Sequence, residues 1–292
     1  MLPFRKILLP VDYSKPCRAV VPYVKDMMHH FSSELTLVHA YGLGALVRSE
    51  VAITEPDFSE ELRSIEQGRL REFAAEMFAG QHVEPIVELG EPGGIIDKVV
   101  QRQGVDLVML ATHGLGPVRR FLLGSVAAKI LHDISAAVWT GASSVLPGYA
   151  PRIPYKSILC ALDDTDEARA VMKAAAAFAG GHNAELSLVR VVEMPPISYN
   201  IDFRHYANEL TEAANFNLRE LKSELGVDAP HAVVVAAVAD GICQEAVRRN
   251  ADLIVVGRGC AQTAVRRMFS QLYSIVRQSP CPVLSIKDRT AR

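Results

Sequence analysis

The chain has 292 residues, of which 49% are hydrophobic and 22% charged, and its formal net charge is −2. This balance argues against nucleic acid as the main ligand, because binding to a phosphate backbone needs a clustered positive surface. No apolar stretch reaches the roughly 18 residues that span a bilayer, and the run Ile7–Val11 is too short for a signal peptide. The 5 cysteines form no C-x-x-C pair, so we expect a cytoplasmic protein without structural disulfides or a zinc site.

The first half of the chain alternates strand and helix signals. Short apolar runs predict buried strands, and longer segments with a helical apolar period predict helices, the first of them capped by Ser14. The predicted strands are Ile7–Val11, Leu35–His39, Val83–Leu89, Leu107–Leu110 and a short one near Val138 and Trp139. The predicted helices are Arg18–His30, one from Asp57 or Ser59 to Phe78, Gly93–Gln103 and one ending at His132.

The second half repeats the first. Phe4–Leu8 leads to Asp12, and Tyr155–Leu159 leads to Asp163, at a constant offset of 151. We therefore predict two copies of one domain, residues 1–141 and 155–292, joined by a linker rich in Gly, Pro and Ser at residues 142–154. The predicted fold class is α/β, with two tandem doubly wound domains that each contain a five-stranded parallel sheet of order 3-2-1-4-5.

Ligands of such sheets bind beyond the carboxyl ends of the strands, which directs attention to the segments after the first and fourth strands. The fourth strand of the first copy is followed by the segment 111–114, Ala-Thr-His-Gly, then nine residues, then Gly124 and Ser125. A turn of small residues lets backbone N–H groups approach phosphates, and the start of the next helix adds further N–H donors and a positive dipole end. Gly114 and Gly124 are also compatible with an ordinary turn and an ordinary helix start, and Asp12 with an ordinary turn.

These residues resemble the nucleotide-binding members of the universal stress protein family, and the likeness covers nearly all of both halves. The family pattern is G-x-x-G, nine residues, then G-[ST]; the first copy matches it except that Ala111 replaces the first Gly, and its methyl group opposes close approach or a positive φ. The resemblance implies an adenine nucleotide alpha-hydrolase-like fold that binds ATP, with Mg²⁺ or Mn²⁺ at the phosphates. The resemblance places the adenine near Val11, Asp12 and Val38. It places the phosphates along Gly114, Gly124, Ser125 and Val126. The other residues of the implied ATP site are Pro10, Ser14, Leu110, Ala111 and His113.

The second copy departs from that pattern. Cys260 stands in the place of Gly114, Ala161 replaces Pro10, and Ser270 and Gln271 fall where Gly124 and Ser125 should be. We therefore expect the nucleotide in the first copy, with a second site that is degenerate or binds something else.

The predicted function is regulatory binding of ATP or a related adenine nucleotide in a stress-response protein. No general base is identifiable, so we expect at most slow hydrolysis. Two alternatives stay open: a nucleotide-independent interaction module, and a weak metal-dependent ATP hydrolase that uses Asp12. The resemblance also implies that the domains pair through their last strands, near Val138 and Val283, and that the chain forms a homodimer.

Overall fold

The computed structural model describes residues 2–42, 56–112, 123–141, 151–194, 203–258 and 265–287. His113, Gly114 and Cys260, named above, lie outside this part of the chain. The chain divides into two compact units, whose main parts are Pro3–Gly141 and Arg152–Arg292.

Strands and helices alternate through the first unit, as predicted. Its sheet is parallel and has the order β3-β2-β1-β4-β5, which confirms the predicted doubly wound topology. The strands are β1 (Lys6–Pro10), β2 (Glu34–Tyr41), β3 (Val83–Leu89), β4 (Leu107–Ala111) and β5 (Ala137–Gly141). The helices are α1 (Lys15–Phe31), α2 (Pro56–Met77), α3 (Pro92–Gln103) and α4 (Ser125–Asp133).

The second unit has the same architecture. Its parallel sheet has the order β8-β7-β6-β9-β10, so β6 takes the central place that β1 holds in the first unit. The strands are β6 (Ser157–Leu162), β7 (Glu185–Val192), β8 (His231–Val235), β9 (Leu253–Gly257) and β10 (Val283–Ile286). The helices are α5 (Glu167–His182), α6 (Phe203–Leu225), α7 (Val238–Arg248) and α8 (Val265–Gln278).

The interior of the central strand of each sheet is apolar and buried. Ile7, Leu8 and Leu9 of β1 have no exposed surface, and neither do Ile158 and Leu159 of β6. None of the helices in the described residues is both long and apolar enough to cross a membrane.

An aspartate anchors the amino end of the central strand in each unit. Asp106 Oδ2 accepts hydrogen bonds from the backbone N–H of Arg5 (3.0 Å) and of Lys6 (3.1 Å). Asp252 Oδ2 accepts the corresponding bonds in the second unit, at 2.8 and 3.0 Å, and is nearly buried. This pair of bonds, which we call the aspartate anchor, fixes the start of the central strand against the strand beside it.

Candidate functional site

The candidate site of the first unit lies where the chain reverses its strand order. β1 pairs with β2 on one side and with β4 on the other, so the carboxyl ends of β1 and β4 lie side by side. The register pairs Ile7 with Leu107 and Leu8 with Val108, and continuing it places Val11 beside Ala111. The sheet therefore brings together the two strand ends from which the segments singled out by the sequence begin.

The loop after β1 is held by its own side chains. Pro10 is the last residue of β1, and Asp12 Oδ1 accepts a hydrogen bond from the Ser14 N–H at 3.0 Å. Ser14 is the N-cap of α1, as predicted, and its Oγ accepts the Cys17 N–H at 3.1 Å. Asp12 and Ser14 thus both shape the backbone of this loop.

Val11, the first residue after β1, is hydrogen-bonded to β2 through both its N–H and its carbonyl. The Val11 N–H donates to the Val38 carbonyl at 2.8 Å, and both side chains are buried. The Val11 carbonyl lies 2.7 Å from His39 Nδ1, which must carry the proton because a carbonyl only accepts. His39 Nε2 lies 3.4 Å from a carboxylate oxygen of Glu66 on α2.

An aromatic cluster that the sequence analysis missed covers this loop. Tyr13 has a φ of 61°, and its ring centroid lies 4.7 Å from that of His39 and 5.9 Å from that of Phe73. The Arg69 guanidinium lies 4.4 Å from the Tyr13 ring centroid. Burial, and next the nearby Glu66 carboxylate, raise the pKa of the Tyr13 phenol above its ordinary value. Comparison of the two copies could have drawn attention to Tyr13, because the second copy has Asp164 at the same position.

The end of β4 is regular strand. Leu110 is buried, and Ala111, the last residue of β4, pairs with Gly141 of β5. The expected conflict between Ala111 and a positive φ does not arise, because Ala111 keeps the extended backbone of the strand.

The start of α4 has no side-chain cap. Gly124 is its N-cap, with no side-chain capping bond, and the Gly124 N–H donates to the Thr112 carbonyl at 2.9 Å. The next residues, Ser125 and Val126, begin the helix, where backbone N–H groups have no partner within the helix. Against the described residues, a Cβ at Gly124 would lie 3.4 Å from the Thr112 oxygen, an ordinary contact distance, and the φ of −60° suits any residue.

The second unit differs at the corresponding helix start. α8 begins at Val265, so Ser270 and Gln271 lie inside a helix, whereas Gly124 and Ser125 lie at the start of one. N–H groups inside a helix are bound to carbonyls one turn earlier and are not available to a phosphate. The loop after β6 keeps its turn, since Asp163 Oδ1 accepts the Thr165 N–H at 3.1 Å. No cluster of three or more His, Cys, Asp or Glu side chains suited to a metal ion occurs within the described ranges.

Comparisons with known proteins agree on one family. The model of the Universal stress protein family matches residues 3–140 and again residues 154–287. A curated relative from Staphylococcus haemolyticus that carries the universal stress protein name is 29% identical over 150 residues, which are 50% of this chain and 90% of the relative.

Two solved structures match almost the whole chain. A universal stress protein from Archaeoglobus fulgidus is 20% identical, with a TM-score of 0.66 over 98% of both chains. A functionally unknown protein from Pseudomonas aeruginosa is 16% identical, with a TM-score of 0.67 over 98% of this chain and 94% of its own. At such identities the likeness establishes the fold alone.

Proposed function

The chain belongs to the universal stress protein family, and from that premise we propose that its first domain binds ATP or a related adenine nucleotide as a regulatory ligand. The observation that carries this proposal is the glycine at the N-cap of α4. Gly124 leaves the helix start without a side-chain cap, beside the end of β4. A helix N-terminus of this kind attracts anions through its N–H donors and its dipole.

Glycine at this position is better explained by a ligand than by the fold. Neither the φ of −60° nor the 3.4 Å space towards Thr112 requires the absence of a side chain. Glycine is also a less favourable N-cap than serine by a few tenths of a kcal/mol. Close approach of a phosphate to the backbone supplies the missing reason, with Ser125 and Val126 contributing further N–H donors.

The adenine would lie over the loop after β1. Buried Val11 and Val38 offer an apolar floor, and Asp12 and Ser14 hold the backbone of the loop in place through their own hydrogen bonds. His113 and Gly114 belong to the same proposal through the family pattern. A divalent metal would accompany the phosphates of the bound nucleotide.

We assign the site a binding role because its donors are backbone N–H groups. Such donors and a helix dipole stabilise negative charge but transfer no proton. A partner would distinguish the nucleotide-bound form of the first domain from the nucleotide-free form. The corresponding stretch of the second domain is helix interior, so we expect one nucleotide per chain.

The test is calorimetric titration of nucleotide-stripped protein with ATP and Mg²⁺, beside Gly124→Leu. Gly68→Leu is the matched control, since a Cβ at Gly68 of α2 meets nothing within 4 Å. We expect one ATP per chain for the parent and the control, and none for Gly124→Leu.

Other outcomes redirect the proposal in defined ways. Two ATP per chain would show that the helix start of α8 does not exclude phosphates. No binding by the parent would refute the proposal and favour the nucleotide-independent interaction module. Phosphate release that follows ATP binding and depends on Asp12 would favour the weak hydrolase.

A further inference from the structure

The second domain contains a cavity of about 550 Å³ at the carboxyl ends of β6, β7 and β9. Its volume falls within the range of small-molecule sites, and its position is where open α/β sheets bind ligands. A smaller cavity of about 270 Å³ adjoins it and shares Asp163, Asp164 and Arg190 as lining. The loss of the nucleotide pattern in this copy has therefore not closed the place that a ligand would occupy.

Branched aliphatic side chains make up half of the residues that line the larger cavity. Strand ends line one side of it, and α5, α6, α7 and α8 line the others. Such a wall favours a ligand with an apolar body, because each apolar surface removed from water stabilises the complex. The aliphatic lining includes Leu162, Val171, Val189, Val191, Val256 and Ile275.

Three charged groups of the lining, Asp163, Asp164 and Arg190, already bind protein atoms, and a second arginine, the buried Arg258, also lines the cavity. Arg190 forms an ion pair with Asp164 and also donates to the Leu162 carbonyl at 3.4 Å. Asp163 accepts two hydrogen bonds from Thr165, one from its N–H and one from its hydroxyl. A strongly charged ligand would have to break these bonds, whereas an uncharged one leaves them intact.

A carboxylate of the cavity lining lies beside the start of α7. Glu193 occupies the place of Gly42 in the first copy, at the offset of 151. One of its oxygens accepts the Val238 N–H at the start of α7, and the other accepts from Gln271 Nε2, both at 3.4 Å. The protein's own negative charge thus occupies a helix start that an anion would otherwise use.

We propose that this cavity binds an uncharged, largely apolar small molecule, and that Glu193 keeps polyphosphates out of it. If the first domain binds a nucleotide, the two domains bind chemically different ligands. The inference depends on the second domain alone and stands whether or not the first domain binds a nucleotide.

Two fluorescent probes with one ring system test the charge preference. N-phenyl-1-naphthylamine is uncharged, and 1-anilinonaphthalene-8-sulfonate adds a single sulfonate. Titration of the full chain should give one bound neutral probe per chain, with at least about tenfold weaker binding of the sulfonate. In Glu193→Gln the sulfonate should gain affinity while the neutral probe is unchanged.

Substitutions at the rim locate the binding. Leu210 of α6 lines the cavity and is half-buried, so Leu210→Trp should fill the space and abolish binding of the neutral probe. The control is Leu225→Trp, at a half-buried position of the same helix outside the cavity lining. Ala168→Met is a second filling variant, from α5, in case Leu210→Trp does not melt cooperatively.

Three results would overturn the proposal: no uptake of the neutral probe by the parent, equal affinity for the sulfonate, or unchanged binding in the variants that fill the cavity. Gly124→Leu, which alters the first domain only, should bind the neutral probe as the parent does. Loss of the probe in that variant would place the binding in the first domain and refute the assignment.

Discussion

Two buried glutamates of the second domain should respond in opposite ways to the same substitution. Glu167, the first residue of α5, is 4% exposed, and neither of its carboxylate oxygens has a hydrogen-bond partner among the described residues. Glu245 of α7 is 5% exposed and is bound by Arg248 at 2.5 and 2.6 Å and by Arg249 at 2.9 Å. We expect Glu167→Met to stabilise the domain and Glu245→Met to destabilise it.

The magnitudes follow from what each carboxylate gains in the fold. A buried polar group without a partner costs about 1–3 kcal/mol, and the dipole at the start of α5 offsets only about 0.3–1 kcal/mol for Glu167. Loss of the arginine bonds of Glu245 costs about 1–2 kcal/mol, since the Arg248 side chain is 60% exposed and solvent screens the pair. Each kcal/mol should shift the Tm of a domain this size by about 3–5 °C.

Calorimetric melting of the full chain, followed at several pH values, is the assay. The hydrogen bond from Arg248 is the largest influence on the pKa of Glu245. Together with the bond from Arg249 it outweighs the effect of burial and lowers that pKa. A lowered carboxyl pKa contributes stability above its ordinary value of about 4.3, and that stability is lost as the pH falls through the lowered pKa. The deficit of Glu245→Met should therefore shrink in acid. A fall in Tm for Glu167→Met as large as that for Glu245→Met would refute the reasoning, because it would mean that Glu167 has a partner in solution.

Three further variants test the site and the fold. Gly124→Ser should leave the Tm within about 1 °C or raise it slightly, since serine is the better N-cap, yet weaken ATP binding in a titration; unchanged affinity would remove Gly124 from the site. Tyr13→Phe should not lower the Tm, because the buried Tyr13 hydroxyl lacks a hydrogen-bond partner within the described residues; a clear loss on thermal melting would contradict that. Asp252→Asn should destabilise its domain by about 1–3 kcal/mol in urea. The loss should exceed that of Asp106→Asn in the other domain, because Asp252 is the more buried and also pairs with Arg152 at 2.6 Å; equal effects would contradict this.

The sequence was sufficient to predict the fold because the relevant signals are local. Apolar runs such as Ile7–Val11 and the cap at Ser14 depend on neighbouring residues, and the alternation of strands and helices restricts the topology to few choices. The repeat supported the same prediction, because Asp163 follows the first strand of the second copy as Asp12 follows that of the first. The order of strands and the start of α1 were confirmed accordingly.

The features that were missed depend on residues distant in the chain. Tyr13, His39 and Arg69 meet only because β2 and α2 pack beside the loop after β1, and no spacing in the sequence reports that contact. For the second domain the sequence left two possibilities open, a degenerate site or a different ligand, because replacement of Tyr13 by Asp164 looks like a loss of pattern. The helix start at Val265 was equally invisible without the structure.

The aspartate anchors have a consequence for how such a chain acquires new specificity. They fasten the amino ends of β1 and β6, while all the proposed ligand contacts lie at the carboxyl ends of the strands. In each domain, the residues that fix the start of the central strand therefore differ from those that line the proposed ligand site. A substitution at the carboxyl ends, such as Glu193 in place of Gly42, leaves the aspartate anchor intact. Under the two proposals above, the ligand preference of each domain can therefore change without loss of the shared fold.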